Sequence, residues 1–168
     1  MQLDHYSTKF KNQIFPIVLI CEDVTNAANI GSLFRAADTF GVKELVFCGT
    51  HIPMGRKMTK TSRATEKFVK YSVADNALDV VNELKTKDYK IISLEITSKS
   101  EALEDFKFPK NASIALVIGN ENFGVSEGVL NRSDAVIHIN MYGQNSSMNV
   151  VQATSVILYE ITKQLKLS

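Results

Sequence analysis

From residue 14 onward, apolar side chains alternate between two patterns: unbroken runs of strand length, and stretches in which they recur every three or four positions. Ile14 to Cys21 is the first run. Asn29 to Thr39 then sets Ile30, Leu33, Phe34 and Ala37 on one helical stripe, and Gly41 supplies its stop. Glu44 to Cys48 predicts a second strand and, after a polar loop, Lys67 to Ser72 a short third one. Asp75 to Lys85 predicts a helix with Leu78, Val81 and Leu84 turned inward, followed by a strand at Tyr89 to Glu95. A turn or short helix is expected at Glu101 to Phe106, and a strongly apolar strand from Ser113 to Ile118. Ser126 is the expected cap of a short helix ending near Leu130; Ala135 to Ile139 is the last strand and Ser147 to Leu165 the longest helix. Strands that are apolar at every position, instead of every second one, are covered on both faces, as in a parallel sheet flanked by helices. The expectation is one α/β domain over residues 1–168, with no repeat or linker dividing it.

Composition supports a continuous core: the chain has 168 residues, 45% of them apolar. The first twelve residues are polar, and no apolar run approaches the ~18 residues of a membrane span, so a cytoplasmic protein without a membrane partner is expected. Cys21 and Cys48 both lie in strand-like runs and read as reduced core residues. The three histidines are scattered and no paired metal-ligand spacing occurs, so no metal is expected. The net charge of +1 conceals an asymmetry. Residues 51–70 carry Arg56, Lys57, Lys60, Arg63, Lys67 and Lys70 against Glu66 alone, a local +5 that leaves −4 for the remainder. A domain polarised in this way suits a polyanion, with Arg56, Lys57, Lys60 and Arg63 as the first contacts; a solvated loop of ordinary surface lysines is the plain alternative.

Three unusually polar loops follow strands, at 22–31, 119–127 and 139–149. In a parallel sheet such loops gather along one edge, where ligands bind. Gly119 and Gly124 have the glycine spacing of a phosphate-cradling loop, but Val125 stands where its lysine would be and Glu121 would repel a phosphate. A phosphate-free ligand with adenine-like hydrogen bonding and a cationic centre fits better, and S-adenosylmethionine is such a ligand. On the first helix, Gly31, Arg35 and Asp38 fall off the apolar stripe, which leaves Arg35 pointing away from the core with room beside it at Gly31. The alternatives are modest: an Arg35–Asp38 surface pair worth about 0.3 kcal/mol, Asn29 or Ser147 as a helix cap, and Met148 as packing.

Taken together, the loops resemble the three motifs of the SpoU (TrmH-like) family of SPOUT RNA methyltransferases. AsnIleGlySerLeuPheArgAlaAlaAspThrPheGlyVal (29–42) carries the first motif's Asn and the Arg six residues later. LeuValIleGlyAsnGluAsnPheGlyValSerGlu (116–127) matches Gly-x-Glu-x-x-Gly-x-Ser. IleHisIleAsnMetTyrGly, followed by SerMetAsnVal (147–150), is similar to Ile-Pro-Met then Ser-Leu-Asn. The resemblance implies a parallel sheet whose C-terminal segment forms a deep trefoil knot, an obligate homodimer for which the apolar Val150, Val151, Ile157, Leu158 and Ile161 leave surface, and methyl transfer from S-adenosylmethionine to a ribose 2′-hydroxyl of RNA; tRNA and rRNA are both served by the family, and the compactness of the chain favours tRNA. It places the cofactor on the backbone around Leu94, Gly119, Ile139 and Met148. Arg35 acts on the 2′-hydroxyl, and Asn29, Glu121, Ser147 and Asn149 shape the site.

The chain departs from the family pattern at Ala27, where proline is usual, at His138 and Asn140 around Ile139, and in 59–68, which resembles a Ser-x-Gly-Ala stretch without its glycine. A catalytically silent RNA-binding or assembly factor of the same fold and a base-methylating SPOUT enzyme are the rival readings.

Overall fold

Successive side chains of a strand point to opposite faces, and here both faces are buried. In the computed structural model, which describes residues 10–166, the order is β1 (Phe15–Glu22), α1 (Ala27–Thr39), β2 (Val42–Cys48), α2 (Arg56–Ser62), a 3-10 turn (Thr65–Lys67), β3 (Tyr71–Ala74), α3 (Ala77–Thr86), β4 (Lys90–Leu94), β5 (Glu101–Ala102), β6 (Ile114–Ile118), α4 (Glu127–Arg132), β7 (Ala135–His138) and α5 (Val150–Lys166). The polar stretch at residues 1–9 and residues 167–168 lie outside the described part. Seven parallel strands form one sheet in the order β3-β2-β1-β6-β4-β7-β5.

Along β1, Ile17, Leu19 and Cys21 enter one core layer, together with Ile30, Leu33 and Phe34 of α1 and Ile157, Leu158 and Ile161 of α5. Val18 and Ile20 enter the other, with Ala77 and Val81 of α3 and Val129 of α4. Each such fully buried aliphatic chain is worth about 1.5–3 kcal/mol. Phe34 ties α1 to the sheet, its ring 5.4 Å from that of Phe47 and 5.0 Å, edge-on, from that of Tyr71. Cys21 and Cys48 are free and buried in opposite layers. Burial, and next the neighbouring Cys48, pushes the Cys21 thiol well up; burial, then Glu22 and Asp23, pushes that of Cys48 up to about 12. Both are inert core residues at neutral pH.

Five local expectations give way in whole or in part. Residues 56–62 of the basic window form α2 instead of a loop, and the strand placed at Lys67 to Ser72 lies at 71–74. Glu101 and Ala102 are a short edge strand pairing with Ile137 and His138; of the turn or short helix expected at 101–106, a turn forms at 103–105 and no helix. Asn26, not Asn29, caps α1, its Oδ1 accepting from the amides of Ala28 and Asn29. The last helix begins at Val150, capped by Asn149 and not by Ser147, with the amides of Val151 and Gln152 donating to Asn149 Oδ1. Among the described residues no helix is long and apolar enough to cross a membrane, and no cluster of side chains is suited to a metal.

The space expected at Gly31 is filled by the protein itself. A Cβ there would stand 2.5 Å from the carbonyl oxygen of Met58 and 2.8 Å from the amide of Ser62, so α2 lies backbone-close on α1. Met58 and Ser62, one turn apart on α2, are the buried contacts. Beyond them Arg63 and Ala64 both take left-handed backbone, φ 51° and 67°, in the stretch that lacks the glycine expected from the family pattern. Gly31→Ala is expected to destabilise the fold by about 1–3 kcal/mol through overpacking, read as a lower urea midpoint with an unchanged slope.

Candidate functional site

β1, β6, β4 and β7 are neighbours at the middle of the sheet, so the loops leaving their C-terminal ends meet. Between the loops after β4, β6 and β7 lies a cavity of about 350 Å³, within the usual range for small-ligand sites. Leu94, Gly119, Ile139 and Met148, the four residues assigned to the cofactor, all line it. Glu121 and Ser147 line it as well.

The loop after β6 is a built structure. A side chain on Gly119 would collide with the backbone of Gly124 and Val125, and one on Gly124, which sits at φ 68°, with the carboxylate of Glu95. Three polar side chains fix the loop. The buried Glu22, last residue of β1, accepts from the Ser126 amide at 2.9 Å and from its hydroxyl at 2.6 Å. Ser126 therefore stands at the cap position of α4 without capping it. Glu95, just past β4, accepts from the amides of Val125 and Ile96, each at 2.9 Å. Asn120 donates from Nδ2 to the Asp23 carbonyl at 2.8 Å, while its Oδ1 accepts from the amides of Asn122 and Phe123. Sequence reasoning passed over all three; the available signal was a carboxylate ending an apolar strand at Glu22 and Glu95.

At the mouth, side chains from all three polar loops join. Asn149 Nδ2 donates to Asn29 Oδ1 at 3.3 Å, and Asn29 Nδ2 donates to Glu121 Oε1. With Asn26 capping α1, the half-buried Asn29 has its amide free for this bridge. Asn149 serves both tasks, its oxygen capping α5 while its nitrogen reaches Asn29. Ser147 donates from its amide and hydroxyl to Asn145 Oδ1 within its own loop. Neither Asn29 nor Asn149 is in the cavity wall.

Arg35 also stands outside that wall. It is exposed on α1, six residues and roughly 9 Å of helix rise beyond Asn29. Its guanidinium pairs with no described residue; no ion pair with Asp38 forms. Arg56, Lys57 and Lys60 are exposed on α2, and Arg63 is exposed at its end.

The loop after β7 answers to a different logic. Between Ile139 and Met148 no backbone-to-backbone hydrogen bond forms among the described residues, yet Ile139, Met141, Ser146, Ser147 and Met148 face the cavity. Main-chain donors and acceptors at a cavity wall need partners, and here a ligand can supply them. The loop is moored at its start by side chains: His138 bonds Ser100 Oγ through Nδ1 at 2.9 Å and Asn140 Oδ1 through Nε2 at 3.2 Å, and Asn140 donates to Glu104 Oε1 at 2.8 Å. This mooring stands where the family pattern has proline.

Residues 16–159 match the model of the SpoU rRNA Methylase family. The chain is 28% identical over 148 residues to a tRNA (guanosine(18)-2′-O)-methyltransferase of Aquifex aeolicus, covering 88% of this chain and 69% of that one. It is 28% identical over 145 residues to a 23S rRNA (guanosine(2553)-2′-O)-methyltransferase of Bacillus subtilis, covering 86% of this chain and 57% of that one. A solved TrmH/SpoU tRNA modifying enzyme of A. aeolicus superposes with a TM-score of 0.83 at 27% identity, over 94% of this chain and 78% of its own.

Glu22→Ala removes the charged acceptor of the part-buried bond from the Ser126 amide, and a hydrogen bond to a charged group is worth about 1.5–3 kcal/mol. The expected outcome is a loss of that size in urea unfolding, with faster hydrogen exchange at the Ser126 amide.

Proposed function

This chain belongs to the SpoU rRNA methylase family, and from that premise we propose that it is an S-adenosylmethionine-dependent methyltransferase acting on a ribose 2′-hydroxyl of RNA. The observation that carries the reading is the meeting of three distant segments: the Asn149–Asn29–Glu121 chain lies beside a cavity whose wall contains Leu94, Gly119, Ile139 and Met148.

The residues present fit the cofactor. Leu94, Ile118, Ile139 and Met148 give apolar surface to an adenosine, and the backbone of 139–148, which makes no backbone-to-backbone hydrogen bond among the described residues, offers donors and acceptors for its polar edge. Glu95 and Glu121 in the wall favour a cationic ligand and disfavour a phosphate. When bound, the cofactor supplies an electrophilic methyl group on a sulfonium. The protein then has to align the hydroxyl and raise its nucleophilicity.

Arg35 takes the second task electrostatically. Guanidinium holds its proton, its pKa lying above ~12, so Arg35 is not a literal base. An exposed guanidinium without a partner among the described residues is open to an RNA phosphate, bidentate, and from there stabilises the alkoxide as it develops. Asn29, Glu121, Ser147 and Asn149 hold the mouth in shape. The exposed Arg56, Lys57, Lys60 and Arg63 grip the RNA backbone.

The same reading extends to assembly. We place this SPOUT domain over residues 1–168, in a cytoplasmic homodimer that uses no metal. β7 inserts between β4 and the earlier strand β5, an order that supports a C-terminal segment threaded through a preceding loop as a trefoil knot. Of the α5 residues expected to face a second copy, Val150, Ile157, Leu158 and Ile161 are instead buried in this chain's own core, which leaves Val151 with the exposed Val156 and Tyr159 as apolar surface for it. Between the two RNA classes, tRNA is the favoured substrate.

Arg35→Ala is expected to abolish methyl transfer while calorimetric affinity for S-adenosylmethionine stays within about twofold; transfer at a near-normal rate removes Arg35 from the mechanism. Nucleoside mapping of tRNA and rRNA incubated with labelled cofactor tests the reaction itself: the label belongs in a 2′-O-methyl nucleoside, and label in a base or nowhere overturns the reading. The combined Arg56→Ala, Lys57→Ala and Lys60→Ala variant should weaken RNA binding and lower the slope of log affinity against log salt by roughly 0.7 for each phosphate left without its cation.

A further inference from the structure

The cavity wall has one side chain that nothing in the chain explains. Phe123 lines the mouth and is 89% exposed. Ile96, the other strongly exposed apolar residue of the wall, is 57% exposed. Of the other large exposed hydrophobics among the described residues, Phe10 and Ile14 precede β1, Phe68, Tyr71 and Val73 lie at or near the β3 edge, Val156 and Tyr159 lie along α5, and Tyr142, on the loop after β7, is not part of the cavity wall.

Phe123 is not on a slack segment. Its amide donates to Asn120 Oδ1 at 3.2 Å, and the Gly124 amide donates to the Asn120 carbonyl at 2.8 Å. Asn120 is itself fastened to the Asp23 carbonyl. Glu95 accepts from both Val125 and Ile96, so the two apolar residues of the mouth sit on backbone held by the same carboxylate. Two residues before Phe123, Glu121 is drawn toward Asn29 and Asn149. The mouth thus has an apolar part and a hydrogen-bonding part, each fixed by bonds to the sheet ends.

We propose that Phe123, with Ile96 beside it, is the platform on which the base of the target nucleotide stacks, while its ribose faces the Asn29–Glu121–Asn149 side. The inference rests on the RNA reading above and adds to it the residue that receives the base. A reacting ribose has to reach the cavity, and its base then lies within a few ångströms of the mouth. An aromatic ring fixed at that place gives sequence-tolerant stacking at no cost in loop ordering. A flat, uncharged ring also spares the base from Glu121, whose charge suits only the cationic side of the site.

The test uses the intact chain with unmodified tRNA and rRNA from cells lacking the gene. Phe123→Ala is expected to raise KM for RNA by five- to a hundredfold, with kcat at saturating RNA and affinity for S-adenosylmethionine little changed, and Phe123→Tyr to restore KM. The natural sequence has no tryptophan, so Phe123→Trp provides a single reporter whose emission should be quenched by RNA and not by the cofactor alone. An unchanged KM in Phe123→Ala, or an unquenched indole at saturating RNA, overturns the proposal. A drop in sedimentation coefficient for Phe123→Ala would instead assign the ring to the contact between copies and equally overturn it. The unsubstituted protein is the control that separates the two readings: if it methylates RNA while the variants behave as just described, only the platform fails, whereas if it transfers no methyl group, the RNA reading falls as well.

Discussion

Two carboxylates at the ends of the strands that flank β6 hold the site in shape. Glu22 closes β1 and Glu95 follows β4, and each accepts main-chain hydrogen bonds from the loop that leaves β6, the strand between them. That loop brings Gly119 and Gly124 into backbone contact, and its shape is kept by one side chain of its own, Asn120, together with the two carboxylates of the flanking strands. The position of Glu121, the cavity wall at Gly119 and the setting of Phe123 all follow from this. Charge-assisted hydrogen bonds of this kind are among the stronger ones in proteins, particularly where water is excluded, as at Glu22.

The two-layer core explains how strand ends can be trusted with such placement. β1 is buried on both faces, and its neighbours β2 and β6 pair with it in register over Val18 to Cys21. A strand fixed on both faces and both edges cannot slide, since a one-residue slip would exchange its two layers. Its last residue, Glu22, therefore inherits the rigidity of the sheet. α1 is anchored in turn by Phe34 against Phe47 and by the close approach of α2 at Gly31. Asn29, one and a half turns before Phe34, has little freedom except at its side-chain amide, which the site uses.

Burial and bonding divide the polar residues of the site into two sorts. Glu22 and Glu95 have both carboxylate oxygens occupied by the protein, and their contribution is shape. Arg35 and the basic side chains of α2 stand in solvent, and in the proposed reading their contribution is attraction for RNA. The loop after β7 falls between the two, moored at His138 and Asn140 but with no backbone-to-backbone hydrogen bond over 139–148 among the described residues. Most of it is exposed, so its main-chain groups are open to water or to a ligand.

Much of this was legible in the sequence because it depends on periodicity. Unbroken apolar runs marked the strands as doubly covered and parallel, and parallel strands place their following loops on one edge, so the three polar loops could be brought together from the pattern alone, while the choice of Glu121, Gly119, Ile139 and Met148 within them came from the family resemblance. Contacts between residues far apart were not legible. α2 has almost no apolar period of its own and is helical because Met58 and Ser62 find α1 at Gly31. β5 is two residues long and exists only because β7 offers it an edge. The bonds that give Glu22 and Glu95 their roles span 104 and 30 residues. Local pattern sets which segments are strands and helices and which way they face. Which polar groups finally meet is decided by how the finished elements pack, since a hydrogen bond needs its two ends within about 3 Å and no local rule measures that distance along the chain.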